Sequence, residues 1–270
     1  MSDSFAADLA AAAGLRNAAI RIESLDGPER WSSDDGRYIY PASIIKVPLA
    51  VAAAAALVAG RLTWETRVRI DRANLTPNDA PSPFVPGYEA TVEELVTYML
   101  QRSDNVATNQ LYDLLGRSRA TADLAALGFP NVAFRRKLSG ADPLIDDPEA
   151  TGRNACSAAD AAALFRAIAE DRVPEAAALR RILAVSWWNV KLSRGLAEGD
   201  RFAHKTGDTS AVSHDAGILE LGDGSRWAIA VHTEMPSTEE TEERFGAFMR
   251  ALRPHLTGRR SAVRTCEPRP

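Results

Sequence analysis

Three short strings carry the side chains that acyl transfer needs, in the order Ser43-Ile44-Ile45-Lys46, Ser103-Asp104-Asn105 and Lys205-Thr206-Gly207. A serine hydroxyl is a weak nucleophile at neutral pH. It becomes effective when a base lies within hydrogen-bond reach and N–H donors face the developing oxyanion. A lysine kept neutral by its surroundings can be that base, so no histidine is required. Ser43 and Lys46 are three residues apart, which puts both on one face of a helix. Only four of the 32 basic residues are lysines (Lys46, Lys137, Lys191 and Lys205), and two of those fall in the strings. Arginine cannot be neutralised to act as a base. Any one string has an ordinary alternative, such as a capping serine, an inter-helix turn or a lysine on an exposed strand. Their order is what points to chemistry.

The elements that must hold these groups can be read locally. Residues 43–59, SIIKVPLAVAAAAALVA, are alanine-rich and apolar and end at Gly60, which predicts a buried helix with Ser43 at its N-terminus. The positive end of that helix favours an anion near Ser43, and apolar burial lowers the Lys46 pKa. Pro48 falls in or just after the first turn, where its missing N–H costs little. Residues 91–100, TVEELVTYML, place Val92, Leu95, Val96, Met99 and Leu100 on one helical face, with Thr91 and Glu94 as a capping box. A further helix is predicted from near Val106 through Leu115 to Gly116, so Ser103-Asp104-Asn105 is a turn able to point a hydroxyl and an amide into a cleft. RFAHKTGD (201–208), VSHDAGILEL and RWAIAVHTE predict neighbouring strands. On an edge strand Lys205 would offer a cation to a substrate carboxylate, and Gly207 would let a ligand approach the backbone.

With these motifs the chain resembles the serine β-lactamase and penicillin-binding-protein superfamily, and class A β-lactamases most, over nearly its whole length. The resemblance implies that Ser43 is the acylated nucleophile and Lys46 its general base or proton relay. Ser103 would pass a proton to the leaving nitrogen, and Asn105 would anchor a substrate amide. Lys205 and Thr206 would bind the substrate carboxylate, and the backbone N–H groups of Ser43 and of Asp208, after Gly207, would form the oxyanion hole. The chain departs from the class A pattern between Phe134 and Asn154, where the expected Glu-x-x-Leu-Asn is absent from RRKLSGADPLIDDPEATGRN. Asp142, Asp146, Asp147 and Glu149 are the carboxylates there, and none is marked by pattern as the activator of a deacylating water. The expected activity is opening of β-lactam rings through a Ser43 acyl-enzyme. A related esterase, amidase or D,D-peptidase acting on another acyl substrate is the alternative, and a non-catalytic protein retaining the cleft is a third.

The rest of the chain bounds this reading. At 270 residues with 46% apolar and 25% charged content it is a globular chain with a sizeable core. A net charge of −4 without a basic stripe argues against nucleic acid as a partner, and the apolar run 47–59 is too short to span a bilayer. A small acyl substrate, no cofactor, no metal and a monomeric state are expected. His204, His214, His232 and His255 have no ligand spacing, and alternation turns His204 away from Lys205. If Met1 is the natural start the location is cytoplasmic; a removed leader would make it periplasmic or secreted. Cys156 and Cys266 are read as free thiols and the tail after Leu256 as mobile. Trp187 and Trp188 are expected to open a helix leading to Lys191 and Arg194, with Arg194 a candidate for the substrate carboxylate.

The fold expected is α+β: an antiparallel sheet built from both chain ends (1–45 and 186–270) with flanking helices, and an all-helical part (46–185). The active site lies at their junction.

Overall fold

The computed structural model describes residues 4–258; Cys266 and nearly all of the tail expected to be mobile lie outside that range. A five-stranded antiparallel sheet is drawn from both ends of the chain, as expected. Its strands are β1 (Ala19–Ser24), β2 (Arg30–Ser33), β5 (Arg201–Asp208), β6 (Ser213–Glu220) and β7 (Arg226–Thr233), in the order β2-β1-β7-β6-β5. β5 is therefore an edge strand. Between them the chain forms α2 (Lys46–Val58), α3 (Val92–Gln101), α4 (Asn105–Leu115), α5 (Arg117–Ala126), α6 (Ala158–Ala169) and α7 (Ala176–Leu183), and α1 (Phe5–Ala12) and α8 (Glu239–Leu252) flank the sheet. One two-stranded ladder, β3 (Arg67–Arg69) with β4 (Glu89–Thr91), interrupts the helical part. At three residues per strand it is too short to show as a period-2 pattern.

Strand alternation divides the apolar core in two. Trp227, Ile229 and Val231 of β7 join Ile20, Ile22 and Leu219 on the side of α1 and α8. Ala228 and Ala230 point the other way, with Ala216 and Ile218, into the core shared with α2, α3, α4 and α6. Small residues on that face let helices approach the sheet closely, and ten of the thirteen residues of α2 are buried, Lys46 included.

The caps follow the local sequence. Thr91 and Glu94 form the capping box of α3, and Asp104 caps α4 through its carboxylate and Ala107 N–H (2.8 Å). Ser43 sits not in the α-helix itself but in a tight helical turn, Ala42–Ile45, that leads into α2. Ala42 has φ +45°, a left-handed conformation uncommon for a residue with a side chain. Cys156 is a buried thiol, and burial raises its pKa well above the ordinary value.

Candidate active site

Helix α2, the α3–α4 turn and strand β5 bring the three strings together. Lys46 is fully buried, and its Nζ reaches Ser103 O (2.5 Å), Ser103 Oγ (3.1 Å) and Asn105 Oδ1 (2.8 Å). Lys205 Nζ donates to the same Ser103 Oγ (2.9 Å) and also to Thr206 O (2.8 Å). Ser103 is thus the joint between two amines, held at φ +60° in the turn by Asp104 N–H donating to Tyr98 O (3.2 Å). The direct contact expected between Lys46 and the Ser43 hydroxyl is not made: among the described residues no hydrogen bond to Ser43 Oγ is formed. The reason is competition, since the α3–α4 turn offers the amine three oxygens at once.

Burial is the first cause of the perturbed amines. Lys46 lies well below the ordinary lysine value because it is desolvated and faces Lys205, against the opposing charges of Asp104 and Asp79. Lys205 is lowered to about 7 by burial, with Asp208 opposing and Lys191 adding to the effect, and with Asp215 and Asp79 opposing more weakly. A neutral Lys46 has two N–H groups, enough for Ser103 O and Asn105 Oδ1, and one lone pair. That lone pair is then free to accept from a hydroxyl.

The turn that carries Ser43 is held by groups outside the three strings. His214 Nε2–H donates to Tyr40 O (2.9 Å), and His214 Nδ1 accepts from Thr233 N–H (3.1 Å), so its ring is neutral; burial lowers its pKa to about 4. Tyr40 O is the acceptor that an i→i−3 bond would offer to Ser43 N–H. With it engaged by His214, Ser43 N–H stands at the open start of the turn. Gly207 lies against that turn: a Cβ there would come within 2.9 Å of Pro41 O and 3.2 Å of Ile44 N. Lys191, wholly buried, donates to Asp208 Oδ1 (2.5 Å) and to His214 O (2.9 Å). Burial would raise the Asp208 carboxyl, but Lys191 holds it below the ordinary carboxylate value.

Several expectations need correction. Trp187 and Trp188 open no helix; the segment is tied instead to the end of α3, where Gln101 O accepts from Trp187 N–H (3.1 Å) and Arg102 O from the Trp188 indole (3.2 Å). Only a short helical turn, Leu192–Gly195, follows. Arg194 does not serve the cleft; it pairs with Glu242 (3.1 Å) and Glu243 on α8. His204 is not mere packing. Buried, it meets Asp215 Oδ1 (2.7 Å) and Asn189 Oδ1 (3.0 Å), joining β5 to the segment before it.

The carboxylates of the 142–149 loop have other partners or none. Asp147 is gripped by Arg117 at 2.5 and 2.8 Å and accepts from Lys137 N–H (2.7 Å). Burial alone would raise its pKa, but Arg117 and Lys137 hold it low. Glu149 shares Arg117 at 3.2 Å, while Asp142 and Asp146 are exposed. Nearer the site the loop presents Leu138, whose backbone N–H and C=O are both bound by Asn109 (2.8 and 2.9 Å), one helical turn beyond Asn105. Asp79 is a carboxylate that sequence patterns missed. It lies on a loop pinned to the α3–α4 turn by Asn105 N–H donating to Asn78 Oδ1 (2.6 Å), and its charge is felt by both Lys46 and Lys205.

The model of a family described as "Beta-lactamase enzyme family" matches residues 2–253. An extended-spectrum beta-lactamase PER-1 of Pseudomonas aeruginosa is 26% identical over 209 residues, covering 70% of this chain and 65% of that protein, just under two thirds of its length. Among solved structures, one titled "Structure of PBP-A" superposes with a TM-score of 0.80 at 25% identity, covering 93% of this chain and 94% of the other. A beta-lactamase from Sphaerobacter thermophilus DSM 20745 superposes with a TM-score of 0.79 at 27% identity, over 94% and 98% of the two chains.

Proposed function

This chain belongs to the beta-lactamase enzyme family, and from that membership we propose that it opens β-lactam rings by acylation of Ser43. The observation that carries the reading is the convergence of two desolvated lysines on one hydroxyl, Ser103 Oγ. Lys46 takes the Ser43 proton, either directly after a hydroxyl rotation or through Ser103. The Ser43 Oγ–carbon bond forms as the ring C–N bond breaks. Ser103 hands its proton to the leaving nitrogen and is refilled from Lys46, so that no proton is gained or lost. Lys205, as the ammonium, and the Thr206 hydroxyl hold the substrate carboxylate, and Asn105 orients the acyl amide. The N–H groups of Ser43 and Asp208 stabilise the oxyanion, with Gly207 keeping strand and turn in contact. Neither a metal nor a cofactor is needed for these steps.

Intact mass spectrometry after mixing with a penicillin tests the proposal. The expected result is an adduct equal to the whole penicillin, absent in Ser43→Ala. No adduct, and no hydrolysis of a chromogenic cephalosporin, would leave only the non-catalytic alternative. One observation favours slow release, the behaviour of an esterase, amidase or D,D-peptidase that β-lactams inhibit: Asp147 and Glu149 are committed to Arg117 rather than to a water beside Ser43. An adduct that persists for hours supports that second reading. Return to native mass within seconds supports a true β-lactamase.

A further inference from the structure

The segment between α7 and β5 joins the two elements that carry Ser103 and Lys205. Trp187 N–H and the Trp188 indole tie it to Gln101 O and Arg102 O at the end of α3, while Asn189 Oδ1 ties it to His204, next to Lys205 on β5. It therefore bridges the Ser103 turn and the Lys205 strand. On this bridge Trp187 is 53% exposed. The Arg102 guanidinium lies over the Trp187 ring, 3.7 Å from its centroid, and over the Tyr98 ring at 4.8 Å.

Arg117, Arg194, Arg226 and Arg253 are among the arginines of this chain that grip a carboxylate. The Arg102 guanidinium has neither an ion pair nor a hydrogen bond among the described residues. Ring stacking engages the flat faces of a guanidinium and fixes its orientation, while the five N–H donors project from the rim of the plane. A half-buried cation so presented, adjacent in sequence to Ser103, is organised to receive a planar anion in bidentate fashion.

We propose that Arg102, stacked on Trp187 and Tyr98, is a specificity-determining residue that takes a second carboxylate on the leaving portion of the acyl substrate. This is additional to the carboxylate held by Lys205 and Thr206. The side of the substrate follows from the acylation reading above: Ser103 serves the leaving nitrogen, so groups beyond Ser103 meet what departs from the acyl carbon. The aromatic floor suits a flat or apolar stem bearing that carboxylate.

Two cephalosporins identical except for a carboxylate or a carboxamide at the end of the 3-substituent provide the test. Calorimetric titration of the full-length Ser43→Ala protein, which binds without acylation, reads the preference directly. The carboxylate member is expected to bind about tenfold more tightly, about 1.4 kcal/mol. In Ser43→Ala/Arg102→Gln the ratio of the two affinities falls to within twofold, whatever loss is common to both, and Arg102→Lys restores only part of it because an ammonium lacks the planar fork. In the single variant, 500 mM salt shrinks the ratio. A ratio near one in Ser43→Ala, a preference that survives Arg102→Gln, or no binding of either member would overturn the inference. Failure of the carboxamide to acylate the parent protein would instead overturn the acylation reading, leaving the calorimetric preference to be judged by itself.

Discussion

In the proposed mechanism the amine of Lys205 holds the substrate carboxylate, and with its pKa lowered to about 7 it is also a group that titrates in the working range. The free protein's second-order acylation rate should follow the fraction of Lys205 that carries a proton, since kcat/KM-type constants report free-enzyme pKa values. The sign is set by charge. The ammonium attracts the carboxylate, the neutral amine does not, so the rate falls as pH rises through about 7. Against the rate with Lys205 fully protonated, the rate for an anionic penicillin is expected to be about tenfold lower at pH 8 and about a hundredfold lower at pH 9. Lys205→Arg keeps its charge throughout this range. Its plateau is expected to be lower, because the guanidinium cannot reproduce the bond to Ser103 Oγ, but its basic limb should vanish below pH 10. Stopped-flow acylation of Ser43 from pH 5.5 to 9.5, with a carboxylate-free ester as control, measures both profiles. A flat wild-type profile between pH 6 and 9 would refute the reasoning, as would the same limb in Lys205→Arg.

Two further outcomes follow from the geometry. Gly207→Ala places a methyl against Pro41 O and Ile44 N, both backbone atoms at the turn that carries Ser43, so the turn and β5 must separate slightly; Ser43 acylation should fall about tenfold, less than the loss that a misplacement of about 1 Å brings, and an unchanged rate would show that the close approach is dispensable. Arg117→Ala leaves Asp147, whose side chain is only 3% exposed, without its cation; urea unfolding is expected to show a loss of about 3 kcal/mol, largely removed when Asp147→Asn is added, and a loss equal in the double variant would refute the pairing argument.

The local features were legible without coordinates. The Thr91–Glu94 capping box, the face formed by Val92, Leu95, Val96, Met99 and Leu100, and the strand pairing of 201–208 with 213–220 all depend on neighbours a few residues away. The segment 186–195 departs from the expected helix where it is tied to another element: Gln101 O accepts from Trp187 N–H and Arg102 O from the Trp188 indole. No periodicity reports a hydrogen bond to another element. For the same reason Asp79, His214 and Lys191 carried no signal; each acts on the site through a contact made across the fold.

Residue types and their order along the chain were enough to nominate candidate hydroxyls and amines and the class of reaction that suits them, because nucleophile, base and cation are chemical identities. Which atoms meet was decided by the tertiary structure. Lys46 grips Ser103, 57 residues away, and not the hydroxyl three residues before it; Lys205 reaches the same oxygen from 102 residues away. The physical reason is that desolvation, which lowers the pKa of both amines, belongs to the packed interior and vanishes in the isolated segments.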